Sequence, residues 1–399
     1  MGFKYAKRME NIKASEIREL LKLTQRPEII SFAGGLPAPE LFPVDDFRKV
    51  SDKVLAEKGR IALQYGPTEG YNPLREKIAS RMTKVGVKAD FNDILIISGS
   101  QQGLDFTGKI FLDKDDIVLC ESPSYLGAIN AFKAYQPKFI EVPTDDNGMK
   151  MNELEEIIIN NDKIKFIYVI PDFQNPSGRT WSLERRKKLL ELSEKYNIPI
   201  VEDNPYGELR YDGKIPPAIK GLDTKGNVIF LGTFSKIFSP GIRLGWVCAS
   251  EEALNKYILV KQGADLQAST ISQLQLNQYI EEYSLDEHVD KIKNIYRRRR
   301  DLMIDTMKKE FPQDVKFTIP EGGLFTWVEL PEHVNTRELA KKAIDNNVAF
   351  VPGGSFYPNA GNENAFRLNY SNMDEERIVK GIKILAKVIE EALQCEKSM

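Results

Sequence analysis

The chain has 399 residues, and 56 Lys and Arg stand against 58 Asp and Glu, a formal net charge of −2. With 42% hydrophobic and 29% charged residues it reads as a folded globular protein, and the near-neutral balance argues against a general nucleic-acid binder, which carries a basic excess. No apolar run of about 18 residues is present to span a membrane, and the length exceeds one ordinary core, so two domains or one large domain with an appendage are expected.

Residues 1–20, MGFKYAKRMENIKASEIREL, lack an apolar signal core, which predicts a cytoplasmic protein. From about residue 90 to 250, short apolar runs alternate with helical patterns. The runs are Ile94–Ser98, Ile117–Glu121, Lys138–Val142, Lys165–Ile170, Pro199–Asp203, Val228–Leu231 and Gly245–Ala249. Several lack polar alternation, the mark of strands buried on both faces of a mainly parallel sheet. Leu183–Tyr196 reads as a helix capped by Ser182. The expected fold class is α/β, with a seven-stranded, mainly parallel sheet flanked by helices.

The C-terminal third reads as a smaller α+β domain. A charged helix over about Asp286–Glu310 is followed by strand-like pieces at Leu324–Glu329, Ala349–Val351 and Phe366–Asn369. A last helix carries Ile378, Ile382, Leu385 and Ile389 on one face. The expected division is a large domain over 45–300 and a small domain from 1–44 and 301–399. The run Arg297–Arg300 is expected to be a solvated helix face.

The residue inventory removes whole chemistries. Cys120, Cys248 and Cys395 form no CxxC pair, as expected in a reducing compartment. His288 and His333 are the only histidines, both in charged stretches, so a metal site or a Ser-His-Asp triad lacks material, and no metal is expected. A general base must be Lys, Tyr or a carboxylate. Gly103 through Lys109 imitates a phosphate-binding P-loop, but Ile110 stands where Ser or Thr is needed, and the stretch reads as helix. No GxGxxG follows a strand.

Five segments place polar residues at strand ends, where open α/β sheets bind ligands. Ser98 through Gly103 follows a strand and opens a helix, a phosphate cradle or an ordinary capped turn. Gln174-Asn175-Pro176-Ser177-Gly178 alone is a turn. Asp203 ends an apolar strand and needs a cation or a metal if buried. Thr233-Phe-Ser235-Lys236 and Pro240 through Trp246, with Arg243, each read separately as surface loops. Together a lysine, an acid and several phosphate-binding groups are what pyridoxal phosphate requires: the lysine forms a Schiff base, the acid pairs with the pyridine nitrogen, and donors neutralise the phosphate.

At this point the chain resembles the fold type I, class I/II aminotransferases over nearly its whole length, most strongly the branch of 2-aminoadipate and kynurenine aminotransferases. The motifs that carry the resemblance are Ala14-Ser-Glu-Ile-Arg18-Glu-Leu-Leu-Lys-Leu-Thr24, Ser31-Phe-Ala-Gly-Gly35-Leu-Pro37, Leu63-Gln-Tyr65-Gly66, Gly99-Ser100-Gln101-Gln102, Phe173-Gln-Asn175-Pro-Ser-Gly178, Thr233-Phe-Ser235-Lys236 and Phe366-Arg367-Leu368.

The resemblance implies roles. Lys236 carries the cofactor as a Schiff base and shuttles the proton. Asp203 meets the pyridine nitrogen, and Asn175 and Tyr206 bond the phenolic oxygen. Tyr125 stacks on the ring. Ser100, Gln101, Ser235 and Arg243 hold the phosphate, with Thr233 assisting. Tyr65 reaches the phosphate of a partner subunit, so a homodimer with shared sites is expected. Arg367 binds the substrate α-carboxylate, with Gly35 also at the substrate. Arg18 covers the site and reads a distal carboxylate, against the alternative of an exposed arginine paired with a nearby glutamate. Asn204 departs from the family, where many relatives carry a second acid.

The implied reaction is ping-pong transamination between an L-amino acid and a 2-oxo acid, with 2-oxoglutarate the expected acceptor. The alternatives are another fold type I reaction such as a C–S β-lyase, or a cofactor-binding regulatory module. The latter needs an appended DNA-binding domain, for which a motif starting by Ala14 leaves no room.

Overall fold

The computed structural model describes residues 3–11 and 26–395. In chain order the first strands are β1 (Ile30–Ser31), β2 (Ile94–Ile97), β3 (Ile117–Ser122), β4 (Lys138–Asp145), β5 (Gly148–Met149), β6 (Ile164–Val169), β7 (Ile200–Asp203), β8 (Val228–Thr233) and β9 (Gly245–Cys248). All but β1 form one sheet in the order β2-β9-β8-β7-β6-β3-β4-β5. The seven expected strands are all present, and the two-residue β5 adds an antiparallel eighth at the edge. The pairs β4–β3, β3–β6, β6–β7 and β7–β8 are parallel, whereas β9 runs antiparallel to both β8 and β2. Consequently β2, β3, β6, β7 and β8 all end at one edge of the sheet, and every loop that follows them opens there.

Burial explains why these residues become strands. Every residue of Ile94–Ile97, Ile200–Asp203 and Val228–Thr233 is buried, and branched side chains on a doubly covered sheet favour the extended backbone. The helix Leu183–Tyr196 has the expected bounds; Ser182 Oγ accepts from Arg185 N at 3.2 Å, and Asn197 ends it in the left-handed region at φ 51°. The P-loop imitation lies inside helix Ser100–Phe111, where Thr107 Oγ1 bonds back to Gly103 O.

Four strands, β10 (Lys316–Phe317), β11 (Phe325–Glu329), β13 (Val351–Pro352) and β14 (Ala365–Asn369), form a second, antiparallel sheet in the order β10-β11-β14-β13. The expected strand at Ala349–Val351 is split: β12 (Val348–Ala349) pairs in parallel with β1, and only Val351 joins the second sheet. Helix Glu375–Cys395 covers this region, with Ile378, Ile382, Leu385 and Ile389 fully buried. Helix Leu285–Glu310 runs unbroken through residue 300. No described helix is long and apolar enough to cross a membrane.

One expectation is corrected in part. The Arg297–Arg300 run is solvated only in its first half. Arg299 and Arg300 are buried; Arg299 donates to Ser371 O at 2.6 Å and to Glu40 at 2.5 Å, and Arg300 to Asp212 at 2.6 Å. Arg297 and Arg298 are exposed, with side chains 44% and 70% accessible. These partners are distant in sequence, so charge density along the helix could not reveal them. His288, though flanked by charges in the sequence, packs against the rings of Phe238 and Tyr279.

Beneath the ligand edge lies an ion pair wholly removed from water. Arg186 donates to Asp172 Oδ1 at 2.7 Å and Oδ2 at 3.2 Å, with side chains 0% and 2% exposed. Breaking one member of such a pair leaves an uncompensated buried charge. Arg186→Met is therefore expected to lower unfolding stability by about 3–5 kcal/mol, measured by urea denaturation; a loss below about 1 kcal/mol would show that water reaches Asp172.

Candidate active site

The loops at the carboxyl edge converge on Lys236, three residues beyond β8. Its Nζ donates to Gly35 O at 2.8 Å. Burial, then the guanidinium groups of Arg367 and Arg243, lower its pKa from 10.5 to about 8. Arg367, on β14, is buried between the rings of Phe325 and Phe356, at 4.2 and 5.0 Å from their centroids. It donates to Asn175 Oδ1 at 2.7 Å and Ala33 O at 2.6 Å, its Nε has no partner among the described residues, and burial lowers its pKa to about 10. Tyr206 is buried in hydrogen-bonding contact with Asn175, and burial drives its phenol pKa upward.

Asp203 closes β7 at 1% exposure. Oδ2 accepts from the Tyr168 hydroxyl at 2.9 Å, while Oδ1 has no hydrogen-bond partner among the described residues. Burial raises its pKa to about 7. Tyr125 precedes helix Leu126–Lys133 and lies within the electrostatic reach of Asp203, Arg367 and Arg243.

A second cluster adjoins the first. Thr233 Oγ1 accepts from Ser235 N at 3.1 Å, and Arg243 lies 3.5 Å from Ser235 Oγ while donating to Ser98 O at 3.0 Å. Gly99, at φ 81°, brings the start of helix Ser100–Phe111 against Arg243; a Cβ at Gly99 would collide with that guanidinium. Ser100 opens the helix. The Gln101 side chain donates to Gly127 O at 2.9 Å.

One expected site residue stands apart, and another is not described. The Tyr65 side chain is exposed, at 79%, and does not enter this chain's own cluster. Arg18 lies outside the described residues. Among the described residues, no group of three His, Cys, Asp or Glu could hold a metal ion.

The residues present fit pyridoxal phosphate. An orphaned buried carboxylate oxygen can meet a cation, a helix start with Arg243 and hydroxyls can meet a dianion, and an amine of lowered pKa lies within the electrostatic reach of Arg243.

Sequence reasoning did not find Tyr168, Glu121 or the part played by Asn204. Tyr168 was hidden inside an apolar strand. Glu121, raised to about 7 by burial, takes Ile170 N at 2.9 Å and Trp181 Nε1 at 2.8 Å, and so grips both ends of the loop that carries Asn175. A carboxylate ending an apolar run was the available signal. Asn204 donates to Asp172 Oδ2 at 3.0 Å and accepts from Gly207 N at 2.9 Å, tying the Tyr206 turn to the Asp172–Arg186 pair. An acid at 204 would oppose Asp172, which explains the amide here.

The comparisons agree with this geometry. Residues 29–385 match the model of the family described as aminotransferase class I and II, and the chain belongs to that family. It is 45% identical over 395 residues to aromatic-amino-acid aminotransferase 1 of Thermococcus litoralis, covering 98% of this chain and 95% of that one. The crystal structure of Pyrococcus horikoshii kynurenine aminotransferase, with PMP, KYN and KYA, superposes with a TM-score of 0.94 at 43% identity, covering 98% of this chain and 97% of the other. LysN, the α-aminoadipate aminotransferase of Thermus thermophilus, complexed with N-(5'-phosphopyridoxyl)-L-leucine, gives 0.92 at 40% identity, covering 98% of each. The protein is thus a pyridoxal-phosphate-dependent aminotransferase of fold type I, and the lyase and regulator alternatives are not favoured.

The lowered Lys236 pKa has a sign. Below about pH 8 the folded state holds the ammonium at a cost; between about 8 and 10.5 the unfolded chain binds more protons, so this group's contribution to stability improves as pH rises. In the cofactor-free protein, acetylation of Lys236 followed by mass spectrometry is expected to reach half its maximal rate near pH 8, and Arg367→Gln is expected to move that midpoint upward. A midpoint at the ordinary lysine value would mean that water reaches the amine.

Proposed function

We propose that the enzyme transfers the amino group of an L-amino acid, 2-aminoadipate or an aromatic or aliphatic donor, to a 2-oxo acid, 2-oxoglutarate in the first instance, by a ping-pong mechanism. One observation carries the reading: the buried Arg367, held on Asn175 and Ala33 with Nε unpartnered, stands beside the amine of Lys236. That arrangement suits an α-carboxylate in a two-pronged grip with the α-carbon presented to the base.

When bound, the cofactor supplies an electrophilic carbonyl and a ring that accepts electron pairs. Lys236 Nζ anchors it, then takes the proton leaving the substrate α-carbon and returns it in the second half of the exchange. Asp203 Oδ1 holds the proton of the ring nitrogen. Asn175 Oδ1 is engaged by Arg367, so Asn175 through its amide nitrogen, together with the Tyr206 hydroxyl, would hold the cofactor's ring oxygen. Tyr125 covers one ring face. Ser100, Gln101, Thr233, Ser235 and Arg243 neutralise the phosphate. Gly35, whose carbonyl meets Lys236, borders the substrate. Arg18 reads the distal carboxylate of dicarboxylic substrates.

We further propose a cytoplasmic homodimer in which Tyr65 completes the partner's phosphate site, divided into a large domain over 45–300 and a small one from 1–44 and 301–399. Exposed Ile61, Leu63 and Tyr65, clustered at the end of helix Val44–Ala62, support a covered face there.

The direct test is a panel of amino donors with 2-oxoglutarate, read by oxo-acid formation. Lys236→Ala is expected to bind the cofactor without turnover; multiple turnovers by that variant would overturn the assignment. In the same panel Arg18→Ala is expected to raise KM for dicarboxylic donors by about one to two orders of magnitude, about 1.4–2.8 kcal/mol. Equal losses for monocarboxylic donors, measured without 2-oxoglutarate, would make Arg18 structural.

Sedimentation tests the assembly. A dimer at assay concentration is expected, and Tyr65→Phe should weaken cofactor retention by about 1 kcal/mol, the net worth of one hydrogen bond. A fully active monomer would refute the shared site.

A further inference from the structure

We propose that Tyr168 is a positioning residue for the cofactor: its hydroxyl fixes the Asp203 carboxylate so that Oδ1, the free oxygen, faces the ring nitrogen, and keeps that carboxylate anionic. The inference rests on the reading of Asp203 as the ring-nitrogen partner.

Strand register puts the two side chains together. Tyr168 on β6 is the partner of Val201 on β7, and Asp203 follows two residues later on the same face. Tyr168 is 1% exposed, and its ring is fixed edge-on against Phe132, with centroids 5.6 Å apart. Its hydroxyl donates to Asp203 Oδ2 at 2.9 Å. Among the described residues no other hydrogen bond reaches the carboxylate, and Oδ1 has no partner.

Two consequences follow. A carboxylate held by one oxygen cannot turn freely about its χ2 bond, so Oδ1 keeps one direction before the cofactor arrives, and binding loses less torsional freedom. A neutral donor also opposes the effect of burial, which pushes Asp203 toward its protonated form. A protonated Asp203 would not hold a proton on the ring nitrogen, and the ring would lose its capacity as an electron sink. The phenol suits this task because its own pKa is raised well above 10 by burial and by Asp203, so it remains a donor.

The test loads the enzyme with pyridoxal phosphate labelled with nitrogen-15 in the ring and reads the ring-nitrogen chemical shift, which separates protonated from neutral forms. Tyr168→Phe keeps the packing on Phe132 and removes the donor. It is expected to move the shift toward the neutral form and to weaken cofactor retention about tenfold. Tyr257→Phe removes a buried hydroxyl of similar standing, 2.6 Å from Thr107 Oγ1, and is expected to leave the shift unchanged. Should Tyr168→Phe not fold, 3-fluorotyrosine at position 168 keeps the ring and strengthens the donor; it is expected to move the shift toward the protonated form.

An unchanged shift in both position-168 variants, with Asp203→Asn shifting it, would make Tyr168 a core phenol only. An equal movement in Tyr257→Phe would do the same by showing a general loosening. An unchanged shift in Asp203→Asn would instead remove the reading of Asp203 beneath the proposal.

Discussion

Burying a carboxylate costs several kcal/mol unless a cation or hydrogen-bond donors meet it, and Asp203 is buried with one oxygen unmet. That debt organises the carboxyl edge of the large sheet. The residue sits on a central strand between β6 and β8, so it cannot swing to water. Its neighbours across the sheet, Tyr168 on one side and the Thr233–Lys236 segment on the other, are held by the same hydrogen-bonded ladder. On the proposed reading a cationic ring nitrogen would relieve the carboxylate, and affinity for the cofactor would then be stored in the fold before the cofactor binds.

Several other buried charges lie off the site and hold neighbouring loops in place. Glu121 clasps the two ends of the segment that carries Asn175. Glu202, beside Asp203 in sequence but facing the opposite side of the sheet, takes Ile219 N and Lys220 N at 2.9 and 2.8 Å. Asp172 and Arg186, joined through Asn204 to the turn before Tyr206, connect the segment that carries Asn175 with the one that carries Tyr206. Polar networks of this kind contribute little net stability compared with an apolar core, but they allow few alternative arrangements. The loops are thereby rigid where a misplacement of about 1 Å would cost most.

Much of this was legible in the sequence for identifiable reasons. Doubly buried strands appear as unbroken apolar runs, and Ser182 marks its helix because an N-cap is a local interaction. The final helix was readable from the spacing of Ile378, Ile382, Leu385 and Ile389. What was not legible depends on partners far along the chain. The burial of Arg299 and Arg300 requires Ser371, Glu40 and Asp212. The split of the Ala349–Val351 strand requires β1 to arrive from the N-terminal side. Tyr168 carries no local sign at all: a tyrosine in an apolar strand looks like core until the register sets it beside Asp203.

The two titrating groups at the centre of the site are moved toward each other along the pH scale by one cause. Burial lifts Asp203 to about 7 and lowers Lys236 to about 8. Had the two been in direct contact, each would have stabilised the other's charge and both shifts would have reversed. Instead Lys236 Nζ is turned to Gly35 O, and two guanidinium groups reinforce the loss of its proton. The fold thus keeps the acid and the amine apart, so that the carboxylate is available to a ring cation and the amine is available as a base. The same Arg367 that would grip the α-carboxylate also lowers the lysine pKa. Neutralising that arginine with a bound carboxylate would raise the proton affinity of Lys236 when a proton is to be taken from the α-carbon.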